Sequence, residues 1–454
     1  MKNNVISKIT LIFTLCAASA VTCIYAADNN QEPPRQLIEQ YQVDRFGYAI
    51  AHIKELYVEP KSDEDIFDNA LRGMLSGLDP HSSYLDEESL KAMTTFTEGE
   101  FSGVGIQISS DRGFIKVISA IDGTPAEEAN IRTDDYIVGV DGESLIDVPI
   151  DKAVSLMRGK AGTKVTLTIA HEGEKPRDVT IVREPIPIES VKGRMLPKDY
   201  GYVRVSYFND KTADQLKAEV NKLLDQGNGH LNGLVLDLRN NPGGLLGTSV
   251  KTADLFLDSN KLGDNKKIVY TKSRIPAADI EENAKPGDML AGVPIVILIN
   301  RGSASGSEIV AGALQAHKRA VLLGERTFGK GSVQTLFPLD DKSAIKLTTS
   351  LYYTPNGQSI QAKGITPDIL VSNLTLKADD NEEEDAIFLQ KIRESSLNKH
   401  LSANDDASKI DEEQKQEENL SKEMKKLAYE DHQLYTAINI LQSMNLLQTQ
   451  RTDV

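Results

Sequence analysis

Between positions 37 and 57 apolar residues recur at helical spacing, at Val43, Phe46, Ile50, Ile53, Leu56 and Tyr57, which predicts an amphipathic helix. A second helical stretch over 64–78 leads to an Asp79-Pro80 turn, and together they make a helical N-terminal unit placed at 35–98. From 103 to about 183 the pattern shortens to strands at 104–108, 114–118, 136–140, 164–170 and 178–182, with one short helix at 150–157. From about 191 the order changes again. Strands at 201–208, 234–238, 293–300 and 320–323 enclose helices at 212–224 and 307–317, the signature of an α/β layer. Beyond 375 the acids Asp379, Asp380, Glu382, Glu383, Glu384 and Asp385 predict a solvated linker over 375–426. Leu434, Ala437, Ile438, Leu441 and Met444 then place an amphipathic helix at 427–450. Its apolar stripe must be covered, either by this chain's own core or by a second copy in a homo-oligomer.

A chain of 454 residues exceeds the roughly 250–300 residues that one core supports, so several domains are expected. Its 40% apolar and 26% charged residues are ordinary for a globular protein. The formal charge of −16 excludes a general nucleic-acid binder, because no basic stripe offsets the repulsion from phosphate. Protein or peptide partners fit. Residues 1–26 read as an export signal, with Lys2 and Lys8 before an apolar run at 9–20 and small residues up to Ala26. An uncleaved membrane tether is the alternative, since 9–27 is barely long enough to span. Both cysteines, Cys16 and Cys23, lie in this segment. Its removal leaves no thiol for a disulfide, a nucleophile or a metal. It also removes two lysines and no acid, taking −16 to −18. A periplasmic or otherwise extracytoplasmic location follows from this reading.

In the β-rich unit, Gly103-Val104-Gly105-Ile106 leads into a strand, and glycines there let successive amides face one point, as a terminal carboxylate requires. Residues 123–142, G-T-P-A-E-E-A-N-I-R-T-D-D-Y-I-V-G-V-D-G, resemble the signature of bacterial PDZ domains, which implies a PDZ domain at 99–186. By that resemblance a substrate C-terminus adds as a strand beside 104–108, facing the helix at 150–157. Ile106 and Ile108 favour small or apolar side chains on the tail. Arg158, just after that helix, is either a solvated arginine or a relay to the following unit.

The buried-looking strand at 293–300 runs into Gly302-Ser303-Ala304-Ser305-Gly306-Ser307-Glu308 and an apolar helix. A hydroxyl at such a helix N-terminus meets amides and a macrodipole that favour a developing anion. A plain N-cap by Ser303, Ser305 or Ser307 fits the same segment. Downstream, Lys330 sits between Gly329 and Gly331. A lysine with an ordinary pKa of about 10.4 is a poor base at neutral pH, but burial lowers it to roughly 7 or 8. Gly329-Lys330-Gly331 lacks Walker spacing, which argues against nucleotide binding. The seven histidines form no triad motif, and no H-E-x-x-H or paired-cysteine pattern suggests zinc. No cofactor or metal is expected.

These two motifs, with Asp237-Leu238-Arg239-Asn240-Asn241-Pro242-Gly243-Gly244 upstream, resemble the carboxy-terminal processing, or tail-specific, proteases. The similarity extends from Gly73-Met74-Leu75-Ser76-Gly77-Leu78-Asp79-Pro80 to Gly364-Ile365-Thr366-Pro367-Asp368. It implies a multidomain α/β protein: a helical N-terminal unit, a PDZ domain, a crotonase-like α/β catalytic core at 190–374 and a C-terminal helix. It implies further that Ser305, 25 positions before Lys330, is the nucleophile, Lys330 the base, and Gln334 the residue that orients the lysine. The oxyanion falls to the amides of Gly306 and, in preference to Gly243, Gly244. Where the family commonly has alanine after the nucleophile, this chain has Gly306. The expected activity is that of an exported serine endopeptidase acting on proteins with accessible C-termini. A catalytically silent PDZ scaffold and a crotonase-type thioester enzyme are the competing classes.

Overall fold

The computed structural model describes residues 38–372 and 407–452, without positions 112, 122 and 172. The export-signal segment with both cysteines, and the acidic run at 379–385, lie outside the described residues. Among the described residues no helix is long and apolar enough to cross a membrane. The chain divides into two units at Asn69/Ala70, inside the second helix rather than at the end of the expected helical region. The first unit holds α1 (Gln40–Leu56) and the start of α2 (Asp63–Ser76). No residue of α1 is buried, and Tyr41, Phe46 and Leu56 are exposed. Lys54 pairs with Asp63 at 2.7 Å within this unit.

The second unit opens with β1 (Ser83–Leu85) and α3 (Glu87–Glu98). Asp86 caps α3 by accepting the Ser89 N–H at 2.9 Å, and Gly99, at φ +71°, stops it. Acceptor at the start and left-handed glycine at the end are the usual helix signals. β2 (Glu100–Gly103) then leads into the PDZ module. Its elements are β3 (Ile106–Asp111), β4 (Phe114–Ala120), α4 (Pro125–Glu128), β5 (Tyr136–Val140), β6 (Glu143–Ser144), α5 (Ile150–Met157), β7 (Lys164–Ala170) and β8 (Arg177–Val182). The strands form one antiparallel sheet in the order β3-β4-β5-β7-β8, so β3 is an edge. Val117, Ile137 and Leu167 of the sheet and Ala153 of α5 share one buried core. β9 (Glu184–Pro187) leaves the module paired antiparallel with β2, Glu100 opposite Pro187. A two-stranded neck thus carries the PDZ module.

The core that follows comprises β10 (Val191–Leu196), β11 (Tyr200–Val205), α6 (Thr212–Gln226), β12 (Gly233–Asp237), α7 (Leu246–Asp254), β13 (Lys267–Ser273), β14 (Glu281–Asn283), β15 (Ile295–Ile299), α8 (Gly306–Ala316), β16 (Ala320–Gly324), β17 (Ser332–Pro338), β18 (Ala344–Tyr353) and β19 (Ile369–Leu370). Six strands form a sheet in the order β10-β11-β12-β15-β16-β19, parallel except for the β10–β11 pair. Every residue of β12 and β15 is buried, as expected of parallel strands covered on both faces. One face carries α6, α7 and α8 through Leu216, Val250, Ile309 and Val310. A second, antiparallel sheet joins β1, β18, β13 and β14, with β17 on β18. The long β17–β18 hairpin was not read from the sequence.

Two helices close the chain, α9 (Ala407–Glu430) and α10 (His432–Thr452). Part of the stretch expected to be linker is therefore helix. Leu434, Ala437, Ile438 and Leu441 of α10 are buried on the other face of the six-stranded sheet, against Val296, Leu298 and Leu323. Each large side chain buried there contributes about 1.5–3 kcal/mol. The apolar stripe of this helix is covered by the chain's own core.

Candidate active site

After β15 the chain turns through Asn300–Ala304 into α8, with Ser305 at the helix N-cap. The three neighbouring serines differ in their bonding. Ser303 is buried, donates to the Leu238 carbonyl at 2.7 Å and accepts the Asn300 N–H at 3.0 Å. Ser307, also buried, donates to the Asn241 carbonyl at 2.9 Å. Ser305 is half-buried and has φ +52°, ψ −111°, a region that a residue with a Cβ occupies only where its surroundings hold it there.

What holds it is Glu308, fully buried in the first turn of α8. Its Oε2 accepts the Ser305 N–H at 2.8 Å and the Lys330 N–H at 2.9 Å. Its Oε1 accepts the Thr327 hydroxyl at 2.5 Å and the Gly329 N–H at 2.7 Å. One carboxylate thus joins the serine turn to the lysine loop. Burial pushes the Glu308 carboxyl up, while the Thr327 hydroxyl and the three amides oppose that shift. Glu308 went unassigned in the sequence, although Ser305-x-x-Glu308 has capping-box spacing and places an acid within an apolar helix.

Lys330 is half-buried. Burial pushes its amine below the ordinary lysine range, the Lys346 charge acts in the same direction, and Glu308 opposes. Tyr352 donates its hydroxyl to the Lys330 carbonyl. Burial and the Glu308 charge raise the Tyr352 phenol well above its usual range, and a hydrogen bond with Ser305 works against them. Gln334 stands nearby on β17, but its amide nitrogen donates to Ser332 Oγ at 2.9 Å and Thr348 Oγ1 at 3.4 Å. Thr348 in turn donates to Asp79 Oδ1 at 3.1 Å. Asp79 is held down to about 2, chiefly by the Ser82 hydroxyl. The Asp79-Pro80 turn therefore borders this site.

The loop after β12 approaches from the other side. Gly243 has φ +102°, and a Cβ there would stand 2.6 Å from the Ser305 Cβ and 2.8 Å from the Gly306 nitrogen. Its N–H donates to Asn241 Oδ1 at 2.9 Å. The Gly243 carbonyl accepts from Phe208, and Leu245 donates to the Phe208 carbonyl, flanking Gly244. Gly306 is the first residue of α8, where helix N–H groups have no intrahelical partner. A Cβ on Gly306 would collide with the Ser249 hydroxyl and stand 3.0 Å from the Phe208 ring. That crowding gives a physical reason for glycine at this position.

In the PDZ module a groove of about 130 Å³ is lined by Gly103, Val104, Gly105, Ile106, Val154 and Met157, among others. The four residues singled out in the sequence thus share one groove with α5. Arg158 also lines it and lies over the Phe101 ring, 4.8 Å from its centroid. Arg183, at the start of the neck, donates to the Met157 and Leu156 carbonyls at 2.9 and 3.0 Å and so caps α5.

A family model described as peptidase family S41 matches residues 199–371, and a PDZ-domain model matches residues 93–170. The carboxy-terminal-processing protease of Bartonella bacilliformis is 46% identical over 332 residues, 73% of this chain and 75% of that one. The carboxy-terminal processing protease CtpA of Bacillus subtilis is 33% identical over 371 residues, 81% of this chain and 78% of that one. Among solved structures, the photosystem II D1 C-terminal processing protease is 31% identical, covering 74% of this chain and 88% of its own, with a TM-score of 0.42. A PDZ module built into a mixed α/β core of this kind defines a serine-type peptidase with its own peptide-binding domain. The chain belongs to the carboxy-terminal processing proteases of peptidase family S41.

Proposed function

We propose that Ser305 is the nucleophile and Lys330 the general base of an exported endopeptidase that captures protein C-termini in the PDZ groove. The observation that carries this reading is the Glu308 oxygen shared by the Ser305 and Lys330 amides. It supports a hydroxyl and an amine brought together by one buried side-chain carboxylate that holds both backbones. Neutral Lys330 takes the proton from Ser305 as the oxygen attacks the scissile carbonyl. The tetrahedral oxyanion is met by the Gly306 N–H and, because the Gly243 N–H is bonded to Asn241, by the Gly244 N–H. The Lys330 ammonium then protonates the leaving amine, leaving an acyl group on Ser305. Water, deprotonated by neutral Lys330, attacks the acyl carbon, and the same proton returns to Ser305 as the acid product leaves. The chemistry needs no cofactor. Gln334 acts on Lys330 from β17.

The tail of the substrate adds beside β3, its carboxylate on the 103–106 amides and its apolar side chain towards Ile106, Val154 and Met157. Residues 1–26 direct the chain out of the cytoplasm. The test is degradation of an unfolded protein with an apolar C-terminus by the mature protein, by Ser305→Ala and by Lys330→Ala. Each substitution is expected to lower kcat by roughly 10³-fold or more. Equal rates in wild type and either variant would refute the assignment.

A further inference from the structure

The carboxylate that ends β12 begins a chain of contacts that the proposed chemistry does not use. Asp237 is fully buried and accepts the Tyr202 hydroxyl at 2.8 Å, the Arg239 N–H at 2.9 Å and the Arg239 guanidinium at 2.7 Å. The same guanidinium reaches a residue 192 positions away, donating to the two oxygens of Asp431 at 2.8 and 2.6 Å. It also donates to Gln433 Oε1 at 3.1 Å. Asp431 caps α10 by accepting the Leu434 N–H at 3.0 Å, and Gln433 donates to the Val371 carbonyl at 2.7 Å. Planar, bidentate pairing of this sort fixes orientation as well as position.

Arg239 immediately precedes the loop that carries Gly244. Directly after Arg239 that loop is tied to the serine turn. Asn240 accepts from Asn300 at 2.9 Å, and the Asn241 carbonyl receives Ser307 and the Ala304 N–H. On the other side of Arg239, the Leu238 carbonyl accepts the Ser303 hydroxyl at 2.7 Å, and Arg239 itself is held by the clasp to α10. Burial alone would weaken the Arg239 charge, but its hydrogen bonds to Asp431 and Asp237 outweigh that and raise its pKa further.

We infer that Asp431 and Gln433, acting through Arg239, are positioning residues for the oxyanion hole, so that the C-terminal helix sets where the Gly244 amide points. This rests on the reading of Gly244 as an oxyanion donor. An oxyanion donor acts only where the tetrahedral oxygen will be, and losing one costs about 10²- to 10³-fold in rate. A displaced donor costs part of that. Loss of the clasp therefore slows the chemical step while leaving substrate capture intact.

The test uses the full mature chain and compares Asp431→Asn and Asp431→Glu with wild type. Asp431→Asn leaves the Arg239–Asp237 pair in place, whereas Arg239→Gln would strand a buried carboxylate and threaten folding. Four quantities are read: kcat and KM on an apolar-tailed substrate, affinity for a peptide boronate that forms a tetrahedral adduct on Ser305, and affinity for the same peptide as a free acid. For Asp431→Asn the expected result is a fall in kcat and in boronate affinity of about 10-fold or more, with KM and free-acid affinity within about twofold. Asp431→Glu recovers part of the loss. Normal boronate affinity in Asp431→Asn, or equal losses for boronate and free acid, overturns the inference while the Ser305 reading stands. Should Ser305→Ala still turn over substrate, both fall.

Discussion

The serine site and the PDZ groove occupy one chain and are built in opposite ways. Around Ser305 nearly every contact is polar and directed: a strained backbone, four donors on a buried Glu308, and two glycines that admit no Cβ. Around β3 the contacts are apolar, and the strand edge is open. Transition-state chemistry requires donors fixed before the substrate arrives. Recognition of many tails requires a surface that accepts a backbone and tolerates varied side chains. Substitutions in the first region should therefore change kcat, and substitutions in the second should change KM.

Glu308→Gln should produce the largest effect after loss of Ser305 or Lys330 themselves. It keeps the size of the side chain but puts an amide nitrogen where donors now converge, so the Ser305 and Lys330 turns lose their common acceptor. A fall in kcat of about 10- to 100-fold is expected, together with a lower midpoint of thermal unfolding, since a buried donor left unsatisfied costs about 1–3 kcal/mol. Unchanged kcat would mean that Glu308 merely caps α8. In the groove, Val154→Glu should raise KM about tenfold at constant kcat, and amidation of the substrate tail should weaken capture by a similar factor. Peptide titration by fluorescence anisotropy checks both. A drop in kcat in Val154→Glu without a change in tail affinity would break the division between the two regions.

The extent to which the sequence foretold this arrangement follows the same division. Period alone placed β5, β7 and α5 residue for residue, because each is an amphipathic element over a small core. The all-buried strands β12 and β15 were legible as apolar runs, interrupted in β12 by Asp237. The serine turn and Lys330 stood out because tiny residues flank them, whereas the choice of Ser305 over Ser303 and Ser307 came from the family resemblance. Glu308 did not, since one acid at a helix start is ordinary until its four partners are known. The Arg239–Asp431 pair joins positions 192 apart, and nothing local in either segment signals the other. The β17–β18 hairpin was missed because most of β18 is only half-buried and gives no clean alternation. The pattern of α10 demanded a cover without naming one, and the structure supplies the back of the sheet.

The account depends most on Lys330 being uncharged beside Ser305, and the pH dependence of Ser305 labelling by a fluorophosphonate measures this directly. A lowered lysine pKa leaves more neutral amine at a given pH, so the rate should rise along one limb whose midpoint lies below the ordinary value of about 10.4. Lys346→Gln removes a positive neighbour that disfavours the ammonium, so the limb should move to higher pH. In Lys330→Ala it should vanish. A limb at the ordinary lysine value, or one that persists without Lys330, would contradict the assignment of Lys330 as the base.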